Sequence, residues 1–445
     1  MASDEGNSNM HVVDRRTLLS GLALGGLAGA TAGTAACRSA EPLTEPARVD
    51  AAAETRALFA HLKDERDSVE PITAAERVER RARLARVLIE QNLDAILIEP
   101  GATLSWLTGI SWGRSERLFA ILGTADGDYR WIVPAFEEGK ARRAIDARDG
   151  PGGGILTWAE HERPETILAA HVRERRLERI AIEPQLRWTF ADRLARKLDE
   201  RRFSSGQPVV FALRARKDEH ELRILRRASE LTQLAICEVA ATLRPGSSGA
   251  DVAARMAAAH ERMGMRGSWA LCLIDAAAAL PHGDDHGVVL AKNSCLLVDT
   301  GASLHGYQSD TTRTWSCFGP PSAEVERAWN AVRDAQRKVF EFVRPGVMAR
   351  DVDARARAVL VEHGYAGGYG ALTHRLGHGI GMEGHEDPYF DGGSDVELAS
   401  GMTLSDEPGI YVVDRFGVRI EDIVAVTESG CDHFGVWQSS VRSPA

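Results

Sequence analysis

Four carboxylates and one imidazole carry the chemistry this chain could do. Asp299 closes the apolar run LLVD, Asp310 follows in YQSDTTRTW, His378 sits in RLGHGIGM, Glu407 in LSDEPGIY and Glu421 in VRIEDIV. Taken singly, Asp299 would be a plain residue at a strand end, and Glu407 or Glu421 a solvated carboxylate. As a set they offer hard oxygen donors with one nitrogen, which suits Mn²⁺ or a similar divalent ion better than a thiolate-seeking one. Four carboxylates around one ion would leave their repulsion under-compensated, so the set predicts two ions bridged by carboxylates. If Asp299 and Asp310 flank one hairpin they face the same point, Asp299 holding one ion and Asp310 bridging both.

Other readings of these stretches fail on their surroundings. His374 and His378 form an HxxxH pair, as in helical zinc sites, but no HExxH is present and the glycines around His378 make a regular helix poor. Those glycines permit close backbone approach and positive φ. Gly379 to Gly384 fits GxGxxG, yet His385-Glu386-Asp387-Pro388 follows rather than a helix, so no dinucleotide loop is expected. In the alternating strand Val418-Arg419-Ile420-Glu421, Arg419 and Glu421 share a face. Arg419 is therefore expected to reach a bridging carboxylate or a substrate carboxylate. Arg313 is expected to orient carboxylates rather than touch substrate.

The spacing of Asp299 and Asp310, the GHGIG at His378, the EPG at Glu407 and the RIED at Glu421, in that order, resemble the metal motifs of the pita-bread metallopeptidases. That superfamily includes methionine aminopeptidase, prolidase, Xaa-Pro aminopeptidase and creatinase. The likeness covers nearly the whole chain after about residue 75. LIEPGATLSWLTGI is similar to the N-terminal domain of creatinase, prolidase and Xaa-Pro aminopeptidase, which methionine aminopeptidases lack. The resemblance implies an α/β N-terminal domain followed by an α+β pita-bread catalytic domain. It also implies a metal set of Asp299, Asp310, His378, Glu407 and Glu421 around two divalent ions, Mn²⁺ first, with Co²⁺ or Zn²⁺ as alternatives. Glu407 resembles the family's proton shuttle. His282, in LPHG, and His385, in EGHEDP, fall where the family has pocket histidines that hydrogen-bond the reacting carbonyl.

The function so implied is hydrolysis of the Xaa-Pro bond at a peptide N-terminus, of the Xaa-Pro aminopeptidase type, with Xaa-Pro dipeptidase (prolidase) as the alternative. Catalytic roles fall to His282, His385 and Glu407, and substrate contacts to His282, His385 and Arg419. A metal-free creatinase would not need the five donors, and an inactive binding module would have lost some; all five are here. His286, His305 and His374 are left as structural or pocket-rim residues. The expected partner is a peptide with proline second, in a homodimeric enzyme.

The elements that must position these groups follow from length and periodicity. With 445 residues the chain exceeds one ordinary core, so two domains are expected. The divisions are a signal peptide at 1–38, a linker with one short helix at 39–74, a creatinase-like domain at 75–212 and the catalytic domain at 213–445. A net charge of −10 without a basic block in the folded region argues against nucleic acid. The arginines of Arg80–Arg86 are read as solvated helix faces. Helical spacing runs through Leu84, Val87 and Leu88, and again through Ile224, Ala228, Leu231 and Ala235, in a segment that resembles the family's helix joining the two domains. Strands are expected at Asp94–Glu99, Leu118–Leu122, Tyr129–Val133 and Arg179–Glu183, with a turn over Leu104–Gly109.

Asp14-Arg15-Arg16-Thr17-Leu18-Leu19 precedes a Gly/Ala-rich apolar run to Ala36 and resembles a twin-arginine export signal. That run is about 17 residues without an aromatic, shorter than the roughly 20 strongly apolar residues of a spanning helix. Cys37 follows Thr34-Ala35-Ala36, close to a lipoprotein cleavage box, so a lipid anchor there and a periplasmic or membrane-anchored location are expected. The other five cysteines lack ligand spacing and read as buried thiols.

Overall fold

The computed structural model describes residues 51–284 and 287–445. The export signal, Cys37 and His286 lie outside the described residues. Among those described, no helix is long and apolar enough to cross a membrane.

The N-terminal half is built on a mixed six-stranded sheet. Its strands are β1 (Ala95–Ile98), β2 (Ala120–Thr124), β3 (Tyr129–Pro134), β4 (Ile155–Trp158), β5 (Ile180–Ile182) and β6 (Phe203–Ser205), ordered β4-β3-β2-β1-β5-β6. The central strand β1 is buried along its whole length, as expected for AILI covered on both faces. One covering helix, Ala74–Glu90, starts at a capping box in which Thr73 and Glu76 satisfy each other's backbone N–H. It turns Leu84, Val87 and Leu88 inward.

Two sequence expectations fail here for identifiable reasons. Arg80 is not a solvated residue: it lies one turn before Leu84 on the same helix face and is buried. Its Nη2 donates to the Tyr307 hydroxyl at 2.9 Å and pairs with Glu221 at 3.2 Å. The partners that neutralise it are more than a hundred residues away in sequence, so local pattern could not find them. Residues 104–109 are not a turn but lie within a helix, Ala102–Thr108, ended by Gly109 at φ 71°. Its Trp106 indole N–H donates to Glu221 Oε1 at 2.8 Å. In the stretch expected to be a linker, the described residues form a short helix, Ala51–Ala57, and Phe59 and Leu62 are buried in the core.

The helix Glu219–Thr242 joins the halves, capped by Asp218 and Glu221. Glu221 accepts both from Trp106 and from Tyr307 on the far side, so one carboxylate pins both halves to this helix. The C-terminal half holds a sheet of β7 (Arg266–Ile274), β8 (Cys295–Leu304), β9 (Tyr307–Gln308) and β10 (Thr311–Ser316), ordered β10-β8-β7 with β9 on β8. A second sheet holds β11 (Gly377–Gly379), β12 (Glu386–Phe390), β13 (Thr403–Asp406), β16 (Asp422–Val426) and β17 (Cys431–His433), ordered β12-β11-β13-β16-β17, with the ribbon β14 (Gly409–Val412) and β15 (Phe416–Arg419) beside it. A bridge between Thr312 and Glu421 joins the two sheets. Helices Ala323–Phe342 and Ala349–Glu362 pack their apolar faces on the second sheet.

Candidate active site

Each of the five donors sits at a strand or strand end. In β8, Asp299 stands opposite Leu271 on one side and Thr312 on the other. Because Thr312 also bridges to Glu421, the residues Asp299, Thr312 and Glu421 form one row across the two sheets. Asp310 enters just before β10, in the hairpin expected from the spacing. His378 is the centre of β11, and Glu407 follows β13 with its N–H on the Leu376 carbonyl. The glycines flanking His378 serve close approach alone. A Cβ at Gly377 would stand 2.0 Å from the Ser405 carbonyl oxygen and one at Gly379 2.4 Å from that of Glu386, and neither residue adopts positive φ.

The side chains converge. His378 Nε2 lies 3.5 Å from Glu407, 3.6 Å from Asp310 and 3.8 Å from Glu421. Three overlapping sets, Asp299/Asp310/Glu421, His378/Glu407/Glu421 and Asp310/His378/His385, each bring their donor atoms within 4.8 Å of one another. His378 Nδ1 faces the Gly379 carbonyl at 3.1 Å, which can only accept. Nδ1 therefore carries the proton and Nε2 turns its lone pair to the carboxylates. Burial, and then the nearby His385, hold His378 down to about 3, so the ring is a neutral donor. Thr312 Oγ1 donates to Glu421 Oε2 at 2.6 Å, and Ser405 Oγ to Glu407 Oε1 at 3.3 Å.

The donor set fits a pair of cations on two observations. Buried Oδ1 atoms of Asp299 and Asp310 have no hydrogen-bond partner among the described residues, an expensive arrangement unless a cation takes the lone pairs. Burial and mutual repulsion also push the carboxyls up: Asp310 and Glu407 well above their ordinary range, and Glu421 to about 8. Among the described residues, the guanidinium of Arg419 pairs with this group, through Asp299 and Glu407.

Arg419 is buried, and each of its three side-chain nitrogens donates to protein. Nη2 donates to Asp299 Oδ2 at 2.5 Å, Nη1 to the Tyr411 hydroxyl and the Pro281 carbonyl, and Nε to Thr312 Oγ1. It positions Asp299 and lines the cleft beside the donors. Arg313 donates to Asp422 and to the Glu421 carbonyl, on the side away from the donors.

All five donors, with His282, His385 and Arg419, line one cleft of about 920 Å³. His282 and His385 are exposed to it. The His385 ring stacks on His378 with centroids 3.7 Å apart, so this histidine, expected purely as a pocket group, also lies within reach of the donor cluster. His374, expected as a structural or pocket-rim residue, lines the cleft: its Nε2 meets the Tyr411 hydroxyl at 2.8 Å, and burial followed by the Arg419 charge lowers it to about 4. His305, left with the same two alternatives, does not line this cleft; its Nε2 donates to the carbonyls of Arg66 and Val69. Sequence reasoning missed Ser405 and Thr312, which donate to Glu407 and Glu421, Tyr411, which accepts from Arg419, and Trp269, Tyr369 and Arg375, which line the cleft. Thr312 alone left a local signal, its place beside Asp310 in an alternating run.

Behind His385 the halves meet in a charged cluster. Glu386 is buried against Arg214 and lies 2.9 Å from Lys217 Nζ, while Arg214 also reaches Glu383 at 2.7 Å. The loop bearing His385 is thus held from the joining segment.

Comparison with known proteins agrees with this geometry. Residues 223–428 match the model of metallopeptidase family M24, and residues 80–216 that of the creatinase/prolidase N-terminal domain. A probable dipeptidase PepE of Mycobacterium bovis is 35% identical over 357 residues, covering 79% of this chain and 92% of that protein. The structure of dipeptidase PepE from Mycobacterium ulcerans superposes with a TM-score of 0.77 at 31% identity, over 84% of this chain and 99% of that one. A prolidase from Thermococcus sibiricus superposes at 0.74 and 27% identity, over 82% and 98%. The family's enzymes depend on two metal ions, for which this cleft has the donors, and the chain belongs to metallopeptidase family M24, with a creatinase/prolidase domain ahead of its catalytic half.

Proposed function

We propose that this enzyme hydrolyses the bond between a first residue and a following proline, with dipeptides as its substrates. The observation that carries the reading is the single cleft in which Asp299, Asp310, His378, Glu407 and Glu421 face His282 and His385. The similar proteins named above, a dipeptidase and a prolidase, support dipeptides over the longer substrates first expected from the sequence. The cleft's size favours a second reading, an Xaa-Pro aminopeptidase. At about 920 Å³ it stands near the top of the roughly 300–1,000 Å³ range of ligand pockets, more than a dipeptide fills.

Asp299, Asp310, His378, Glu407 and Glu421 would hold the two ions, Mn²⁺ by the hardness of the donors. When bound, the ions supply Lewis-acid activation of a water and of the substrate carbonyl. The protein's own groups do the rest. Glu407 takes a proton from the attacking water and returns it to the departing proline nitrogen. His385 and His282 donate to the carbonyl oxygen as negative charge develops there. Arg419 and Thr312 keep Asp299 and Glu421 in place. A tertiary amide to proline lacks an N–H, so binding must rest on other groups.

The experiment compares an Xaa-Pro dipeptide, an Xaa-Pro-Yaa tripeptide and an Xaa-Ala dipeptide in the presence of Mn²⁺. Preference for the first supports the reading, preference for the second replaces it with the aminopeptidase, and indifference to proline overturns both. Export through Arg15-Arg16, lipidation at Cys37 and a homodimeric state are part of the same proposal. Replacing both arginines by lysine should retain the protein in the cytoplasm, Cys37→Ala should release it from membranes, and light scattering should give twice the chain mass.

A further inference from the structure

A second cavity, of about 630 Å³, opens where the N-terminal half meets the start of β7 and the loop before His385, and it shares no lining residue with the catalytic cleft. Its charge is one-sided. Among the described residues four arginines line it, Arg77, Arg80, Arg148 and Arg266, against one carboxylate, Glu383, in a chain whose net charge is −10. Glu383 is taken by Arg214 at 2.7 Å, and Arg80 is paired with Glu221 at 3.2 Å. The other three arginines have no carboxylate partner among the described residues.

These cations are held together rather than scattered. Arg77 Nη1 donates to the Ile72 carbonyl at 2.7 Å, and Nη2 to that of Arg148 at 3.3 Å, which ties the backbone bearing Arg148 to the cavity wall. Burial, and then the charge of Arg148, pull Arg77 below its ordinary range, and the attraction of the nearby Asp149 is weaker than that repulsion. The Nε atoms of Arg77 and Arg80 are buried with no hydrogen-bond partner among the described residues, and Arg80 as a whole is only 6% exposed. Buried donors without acceptors and like charges without a counter-charge both cost stability, and an anion in the cavity relieves both.

The volume lies within the range of ligand pockets. Guanidinium forks match the oxygens of a phosphate, and three of them suit a dianion better than a single carboxylate. Ser111 adds an exposed hydroxyl, while Pro71, Ile72 and Met382 make an apolar stretch of the same wall. We propose that this cavity binds a phosphate monoester of a small organic molecule, its phosphate among Arg77, Arg148 and Arg266 and its organic part on the apolar stretch. The assignment is independent of the peptidase's substrate.

The test titrates the Mn²⁺-loaded enzyme with phenyl phosphate by calorimetry at fixed ionic strength. One equivalent should bind and raise the melting temperature. Benzoate, with the same ring and a single charge, should bind about 10-fold more weakly or less. Arg148→Ser and Arg266→Ser, both at exposed positions, should each weaken phenyl phosphate about 10- to 100-fold, as expected for loss of a charge-assisted hydrogen bond. Metal content, dipeptide turnover and the melting temperature without ligand should stay at the wild-type level in both. Chelation should leave the binding in place. Binding that is unchanged in both variants, that vanishes with the metal or that is matched by benzoate overturns the proposal, as does the absence of binding.

Discussion

Glu421 and Asp422 are neighbours in sequence, both buried, and they behave in opposite ways. Glu421 faces the cleft, where burial and Asp299 push its carboxyl up to about 8. Asp422 faces the other side of the strand and is held below the ordinary carboxylate range despite its burial, because Arg313 stands beside it and His433 adds to the effect. Arg313 Nη2 donates to Asp422 at 2.6 Å, and Gln233 and Gln336 donate to it as well. One carboxylate is neutralised by the protein; the other waits on charge from outside. A buried acid with its own cation is structure, whereas a cluster of buried acids converging on one cleft is a candidate cation site.

The largest expected effect breaks the cleft side of this contrast. A chelator should abolish activity, and Mn²⁺ or Co²⁺ should restore it best; full turnover in a preparation shown metal-free by elemental analysis would sink the mechanism. Next comes the division between the stacked histidines. His378→Ala should lose bound metal together with activity, while His385→Ala should keep its metal and slow turnover by roughly 10²–10³ as an oxyanion donor is lost. Metal content and kcat measured on both variants decide it, and the reverse pattern would exchange the two roles.

A third experiment tests the structural side. Asp422→Ala leaves Arg313 buried without its partner and should cost about 3–5 kcal/mol in denaturant unfolding. Glu421→Gln, in chelated protein, should cost nothing or stabilise, since it removes a repelled carboxylate. Similar losses for the two variants would erase the distinction.

The smallest effect is a pH dependence. Glu421 ordinarily titrates near 4.5 and is raised to about 8 in the fold. The folded metal-free protein therefore binds the proton more tightly than the unfolded chain. Its contribution to stability is complete below about 4.5 and is lost as pH rises through about 8. Chelated protein should accordingly melt higher at about pH 5.5 than at about pH 8.5, and Mn²⁺ should flatten the difference. A chelated melting temperature that climbs over this range would show that the cleft carboxylates are compensated after all.

Much of the site was legible in the sequence because each donor ends a strongly patterned local run. Asp299 closes an apolar strand, Glu421 falls in an alternating one and His378 lies between glycines that need no side-chain room. The joining helix was legible for the same reason, through Ile224, Ala228, Leu231 and Ala235, all buried as the spacing requires. Arg80 misled because its spacing favoured burial while its charge argued against it, and the deciding partners, Tyr307 and Glu221, are distant in sequence. The helix at Ala102–Thr108 was hidden for a similar reason: its Thr and Ser residues and flanking glycines read as a turn, and Trp106 finds Glu221 only in the folded state.

By itself, the sequence determined which residues could bind metal and which elements carry them, since donor chemistry and strand alternation are local properties. Tertiary structure alone decided that Arg419 pairs with Asp299, that His374 meets Tyr411, and that Arg375 lies over Tyr389 at the cleft. A charged side chain's role depends on which partners lie within a few ångströms of it, and those partners are brought together by pairing β8 with β10, and β11 with β12, over long separations in the chain.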